Sequence, residues 1–230
     1  MIFKYRMKKV HLIIFILSFT CTHGYSQIFK GEIIGGLNKS QVDGDEAFGF
    51  KKFGLQGGVG VVAPIYKNWS LSLETLYSQK GSKLKPQFND SLDGSYKLQL
   101  NYAEVPFMLQ YTDRDIVSAG IGVSWNRLVF AEESRNGYKV DSVSILTKVF
   151  DRDDWMAFGD VRIRLYKNLI LNARYSYSLD KIATRTVIDS ETGKPNKRDF
   201  YNNLWSFRLI YMINEKRPEK STRSKDPVND

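Results

Sequence analysis

The chain has 230 residues, 42% of them hydrophobic, and a formal net charge of +9. Its one cysteine and two histidines (Cys21, His11 and His23) all fall within residues 1–26. From Gln27 onward the residue types for a disulfide, a Cys/His zinc site or a Ser–His hydrolase are missing.

Residues 1–26 have the layout of an export signal. Lys4, Arg6, Lys8 and Lys9 precede the apolar run 10–19, and Gly24 and Ser26 put small residues at −3 and −1 of a cleavage site before Gln27. That run is too short to cross about 30 Å of hydrocarbon as an anchoring helix. Ser18-Phe19-Thr20 is a poor lipidation context for Cys21. Cleavage removes four basic and no acidic residues, lowering the net charge from +9 to +5. No later apolar run is long enough for a transmembrane helix, so a membrane protein of this composition has to be a β-barrel.

From residue 28 to 213 the chain alternates with a period of two, the signature of strands with one wet and one apolar face. Strands are expected at 28–38, 53–65, 69–81, 95–112, 116–129, 154–166, 169–180 and 199–213. In the clearest, Trp69, Leu71, Leu73 and Tyr77 alternate with Ser70, Ser72, Glu74 and Ser78. Tyr66-Lys67-Asn68, Asp113-Arg114-Asp115 and Lys167-Asn168 are tight turns, whereas 39–52, 82–94, 130–153 and 181–198 are long connections. Short and long alternate strictly. The expected fold is therefore all-β, an eight-stranded antiparallel up-and-down transmembrane β-barrel with short periplasmic turns and long extracellular loops.

Three local features refine this pattern. Ile65-Tyr66-Lys67-Asn68-Trp69 recurs as Leu165-Tyr166-Lys167-Asn168-Leu169, with Asn suited to positive φ in the turn. In 95–112 the apolar phase runs Tyr96, Leu98, Leu100, Tyr102 and then shifts to Val105, Phe107, Leu109, Tyr111, which predicts a bulge near Ala103-Glu104 that also accommodates Pro106. Residues 214–230, rich in Lys, Glu, Arg, Pro and Ser, are expected to form a disordered polar tail.

Alternation fits a soluble, lipocalin-like periplasmic barrel with its apolar face inward, or a membrane barrel with it outward. The apolar faces of 155–165, 169–179 and 199–213 are nearly charge-free over a membrane-crossing length, which favours the second. On that reading Trp69, Tyr77, Tyr111, Trp155, Tyr177, Tyr201, Trp205 and Tyr211 form the aromatic girdles. Glu32, Glu74, Glu104, Asp160, Arg162, Arg164, Arg174 and Arg208 face the lumen as an ion-pair network, with Gly54, Gly58, Gly60, Gly120 and Gly122 making room.

No catalytic residue, cofactor or metal site is expected. Asp151, Asp153 and Asp154 read as a solvated loop. Gly57-Gly58-Val59-Gly60 lacks the strand–loop–helix context of a phosphate loop. Lys181, Arg185, Lys194, Lys197 and Arg198, set against Asp189 and Glu191, form a locally basic loop suited to anionic lipid headgroups or surface polysaccharide, and nucleic acid is not an expected partner.

Asn101-Tyr102-Ala103-Glu104-Val105-Pro106 resembles the Tyr-x-Glu-Ile-Pro stretch of the PorT-like outer-membrane β-barrel family. Gly35-Gly36-Leu37-Asn38-Lys39-Ser40 is similar to its glycine-rich first strand, and the Tyr-Lys-Asn turns also look like it. The resemblance covers about residues 28–213. It implies an exported outer-membrane barrel of a Gram-negative bacterium, in contact with outer-membrane lipid and lipopolysaccharide and inserted by the barrel-assembly machinery, with an envelope protein partner unspecified. The chain departs from many such barrels in continuing about seventeen residues past Ile213. The expected role is structural, accessory or surface-recognition and non-enzymatic. Transport or secretion, and soluble ligand binding, are the alternatives.

Overall fold

The computed structural model describes residues 29–45, 47, 49–85, 94–141, 143, 146–147, 149–188 and 194–214. The expected export signal, and all of the expected tail except Asn214, lie outside them. Among the described residues ten strands form: β1 (Lys30–Asp43), β2 (Lys52–Tyr66), β3 (Trp69–Leu84), β4 (Tyr96–Asp113), β5 (Val117–Arg135), β6 (Tyr138–Lys139), β7 (Asp153–Tyr166), β8 (Leu169–Ser178), β9 (Ala183–Ile188) and β10 (Pro195–Ile213). Eight of them, all but β6 and β9, follow one another antiparallel, and β1 pairs with β10 to close the ring. Closure leaves the ring without an unpaired sheet edge, a condition for placing strands in lipid.

The ring is staggered. From Gly35, hydrogen-bonded neighbours lead through Gly57, Tyr77, Ala103 and Arg127 to Asp153. In the other direction they lead through Leu209 and Leu171 to Ile163, ten residues further along β7. Such shear tilts the strands, and eight tilted strands leave a lumen just wide enough for side chains to fill.

The apolar phase faces outward. Ile33, Leu37, Val59, Leu73, Phe107, Ile121, Leu171, Phe207 and Leu209 are all exposed, while Glu32, Glu74, Asp160, Arg162, Arg174 and Arg208 are buried. This inverts a soluble protein, and it rules out the lipocalin-like alternative.

Several strands run further than expected at the long-loop end. β1 continues through Asp43, β3 through Leu84 and β5 through Arg135, and β10 begins at Pro195. The 181–198 connection contains β9, which forms a hairpin with β10, and β6 folds back on β5. The bulge lies elsewhere too. β4 keeps one phase throughout, with Leu98, Leu100, Tyr102, Glu104, Met108 and Gln110 all buried. The register shift falls opposite Asn101/Tyr102, where Val129 of β5 is the extra residue and both Val129 and Phe130 are exposed. What changes along β4 is the lumen itself, from polar at Glu104 to apolar at Leu100.

The repeated turn is a structural repeat. Both copies carry a register shift just before the turn, between Pro64 and Tyr66 and between Arg164 and Tyr166. Asn68 O accepts from Thr112 N at 2.9 Å and Asn168 O from Met212 N at 2.8 Å, tying each turn to the following strand pair. The left-handed residue of the first copy is Lys67 (φ 47°), not Asn68. The asparagines bond through their side chains instead, Asn68 Nδ2 to Tyr111 Oη and Asn168 Nδ2 to Met212 O.

Leu73 lies midway between Trp69 and Tyr77 on the outer face. Leu73→Arg is expected to cost about 2–4 kcal/mol, as for cations at a bilayer midplane, against a small loss for Leu73→Ala. Denaturant titration of folding into phosphocholine vesicles measures both.

Candidate functional site

The register brings a neutral set of six charges together in the barrel. Asp160 and Arg174 face each other across β7 and β8, as do Arg162 and Asn172, and Asn172 faces Arg208 of β10. Glu32 and Glu74 approach from either side of Gly60, where a Cβ would stand 3.0 Å from Glu32 Oε2. On the opposite wall Gly122 admits the Phe158 ring, whose Cζ would lie 2.5 Å from a Cβ there. The Arg174 guanidinium sits 4.1 Å from the centroid of that ring, a cation–π contact.

Glu74 is the hub. Its Oε1 accepts from Arg162 Nη2 (2.8 Å) and Arg174 Nη2 (2.9 Å), and its Oε2 from Arg174 Nη1 (3.0 Å) and Arg208 Nη1 (2.8 Å). Asp160 accepts from Arg162 Nε at 3.0 Å, Arg174 Nε at 2.7 Å and Arg208 Nη2 at 2.9 Å. Arg162 Nη1 reaches Glu32 Oε1 at 2.5 Å, and Asn172 links Arg208 Nε (2.6 Å) to Asp160 (2.8 Å). Charges buried this deeply need close partners, and each of the six has an oppositely charged partner within 3.0 Å, while Glu32 Oε2 has no hydrogen-bond partner among the described residues.

Two of the expected network residues lie elsewhere. Arg164 sits at the short-turn rim, donating to Asp115 O at 2.8 Å and Lys167 O at 2.6 Å. The phase of β7 points it inward, but it lies past the last buried layer. Glu104 belongs to a separate pair nearer the long-loop end, with Lys80 Nζ at 2.6 Å and Gln56 Nε2 at 3.2 Å. Lys80 also stands 4.8 Å from the Tyr102 ring centroid. Lys80 is a lumen residue outside the expected network, although it shares the alternating phase of Glu74 and Ser78. Tyr102, Glu104 and Pro106, from the stretch that resembles the PorT-like family, are all buried lumen residues.

Above this pair Asn202 Nδ2 joins Asp154 Oδ2 (2.9 Å) to Tyr102 Oη (3.2 Å). An apolar cluster follows, made of Val42, Leu98, Leu100, Leu128, Val143, Phe150, Ile182 and Phe200 among others. Arg185 of β9 reaches across this cap to Glu133 of β5 at 2.5 Å and lies 5.8 Å from the Phe150 ring. The expected basic loop is therefore not a free patch. Arg185 is held in the cap and Lys181 pairs with Asp199 at 3.3 Å, while Asp189 and Glu191 lie outside the described residues. The expected Asp151/Asp153/Asp154 group is dispersed as well. Asp153 turns outward to Arg127 at 2.6 Å and Asp154 inward to Asn202. At the short-turn end a recess of about 360 Å³ reaches up to Glu32 and Arg162.

The eight expected girdle residues all lie in the outward phase. Trp69, Tyr111 and Tyr211 mark the short-turn end, and Tyr77, Trp155, Tyr177, Tyr201 and Trp205 the long-loop end. Trp69–Tyr111 (5.2 Å), Tyr175–Trp205 (4.9 Å) and Tyr177–Tyr201 (6.2 Å) are cross-strand ring contacts. Trp125, directly opposite Trp155, completes the upper belt.

A closed ring with an apolar exterior, two aromatic belts and a charge-filled lumen defines a transmembrane barrel of the outer-membrane type. A family model described as outer membrane protein beta-barrel domain matches residues 27–184, and the chain belongs to that family. This places it in the outer membrane. Among solved structures, Ail of Yersinia pestis is 13% identical, covering 80% of this chain and 98% of its own, with a TM-score of 0.46. Neisserial surface protein A is 12% identical over 80% of this chain and 97% of its own (TM-score 0.46). OprG of Pseudomonas aeruginosa is 14% identical over 82% and 98% (TM-score 0.42). No curated protein sequence matches significantly.

Glu74→Gln leaves three guanidinium groups facing two carboxylates, and is expected to cost about 3–5 kcal/mol. The neutral double change Glu74→Met/Arg208→Met should recover much of that loss in the urea midpoint. A second expectation concerns Asp45, between β1 and β2. Burial lifts its carboxyl to about 6, against the opposing hydrogen bonds from Ser82 and Ala47 N. The folded state thus favours the protonated acid, and the contribution is complete below 3.8 and lost as pH rises through about 6. The urea midpoint of the folded barrel should fall between pH 5 and pH 7.5, and Asp45→Asn should abolish that fall.

Proposed function

We propose that the protein is a non-enzymatic, sealed outer-membrane barrel that works as a structural or surface-recognition component of the envelope. On this reading the chain is exported, cleaved before Gln27 and inserted by the barrel-assembly machinery, with its short turns in the periplasm and its long connections at the cell surface. The observation that carries the reading is the filled lumen. Three stacked layers occupy it: the six-charge network, the Lys80–Glu104 and Asp154–Asn202–Tyr102 pairs, and the apolar cap. The short-turn recess ends at the first of them. A pore that carried solute would have to break charge-assisted bonds in the middle and expose apolar side chains at the cap.

Single-channel recording of the purified protein in planar bilayers tests this. The expected trace is silent at moderate voltage, and steady ohmic steps in the unmodified protein would establish the transport alternative.

A further inference from the structure

Above the upper aromatic belt, β3 and β4 place two lysines directly opposite one another. Lys83 and Lys97 are cross-strand partners, and both are exposed. Like charges in that position repel and weaken a sheet. Lys52 lies within electrostatic reach of both, and Lys51 is exposed beside it. None of Lys51, Lys83 and Lys97 has an ion-pair partner among the described residues. The acids on the adjoining strand are engaged elsewhere: Glu132 with Lys139 at 2.7 Å, and Glu133 with Arg135 and Arg185. Asp45, on the β1–β2 connection, accepts from Ser82.

A second cation stands lower on the same wall. Lys39 faces outward between Phe53 and Trp205, with its Nζ 5.7 Å from the Phe53 ring centroid. It lies in the aromatic belt, the level of lipid headgroups. Lys51 is two residues beyond Phe53, about 7 Å further along the strand. Among the described residues the wall therefore offers positive charge without an ion-pair partner at two heights, on the same side of the barrel as the lipid-facing Leu55 and Leu73. A simple phospholipid carries its phosphate at one height. A glycolipid with phosphates on both its lipid anchor and its sugar core carries them at two.

We propose that this face of β1–β4 binds a multiply phosphorylated glycolipid of the outer leaflet, with Lys39 on the lower phosphate and Lys83 and Lys97 on the upper. It rests on the outward orientation of the long connections proposed above. The acyl chains run down the apolar wall, and the bound phosphate relieves the Lys83–Lys97 repulsion.

The test titrates the full-length protein in zwitterionic detergent with deep-rough lipopolysaccharide, the same glycolipid after dephosphorylation, and phosphatidylglycerol vesicles. K83Q/K97Q should weaken binding of the phosphorylated glycolipid about thirtyfold, at roughly fivefold per lysine. Dephosphorylated glycolipid, which also loses the Lys39 contact, should bind wild type more weakly than the phosphorylated form binds the variant, and K67Q/R114Q at the short-turn end should change nothing. In lipid-free detergent K83Q/K97Q should unfold at a urea concentration no lower than wild type, showing that it is folded. Equal binding by wild type and K83Q/K97Q would overturn the proposal, as would an equal loss in K67Q/R114Q or the same thirtyfold loss on phosphatidylglycerol. These outcomes do not depend on orientation, which labelling of Tyr138→Cys in intact cells by an impermeant maleimide tests separately.

Discussion

The hydrocarbon exterior is the constraint on which the structure depends. A strand in lipid has to satisfy every backbone group within the sheet, so the sheet has to close, and β1 pairs with β10 over thirteen residue pairs to do so. Once the apolar phase is committed to the outside, the alternate phase has nowhere to go but the lumen. Eight strands enclose too little space for water to solvate charges there. Charged side chains on that phase therefore have to neutralise one another.

The network around Glu74 and Asp160 meets that demand. Three arginines and three acids leave no net charge, and the planar forks of Arg162 and Arg174 each engage two or more carboxylates. Glycine serves the same end from the opposite side. Gly60 leaves room for Glu32 and Glu74 to meet Arg162, and Gly122 lets Phe158 come under Arg174. On the proposed reading, sealing and stability come from one set of contacts. Toward the long-loop end the lumen turns apolar, and the chain's own Phe150 and Ile182 fill it.

The outward phase was legible in the sequence because lipid imposes one rule on every strand. Trp69, Leu73, Leu171 and Phe207 could be placed from alternation alone. The inward phase is harder, because two kinds of residue share it. Leu98, Leu100 and Tyr102 read as lipid-facing until β4 is seen to keep its phase past Glu104, so that an apparent bulge on β4 is a change in lumen polarity. The true bulge at Val129 leaves only a pair of adjacent apolar residues as its trace, and tight turns leave many such pairs. Height along the axis is likewise hidden. Arg164 and Arg162 share a phase, and shear and strand length, not alternation, decide that one is in the network and the other at the rim. The β9–β10 pairing is hidden in the sequence because charged and turn-forming residues interrupt its strand pattern.

The structure depends on the guanidinium groups of Arg162, Arg174 and Arg208 being locked against Glu74 and Asp160 inside a bilayer-embedded barrel. Solid-state NMR of the protein in lipid, recoupling guanidinium nitrogen to carboxylate carbon, measures this directly. Rigid contacts from all three arginines to these two acids, consistent with N–O separations of 2.7–3.0 Å, are the predicted result. Mobile, water-exchanging guanidinium groups with no carboxylate coupling would contradict it.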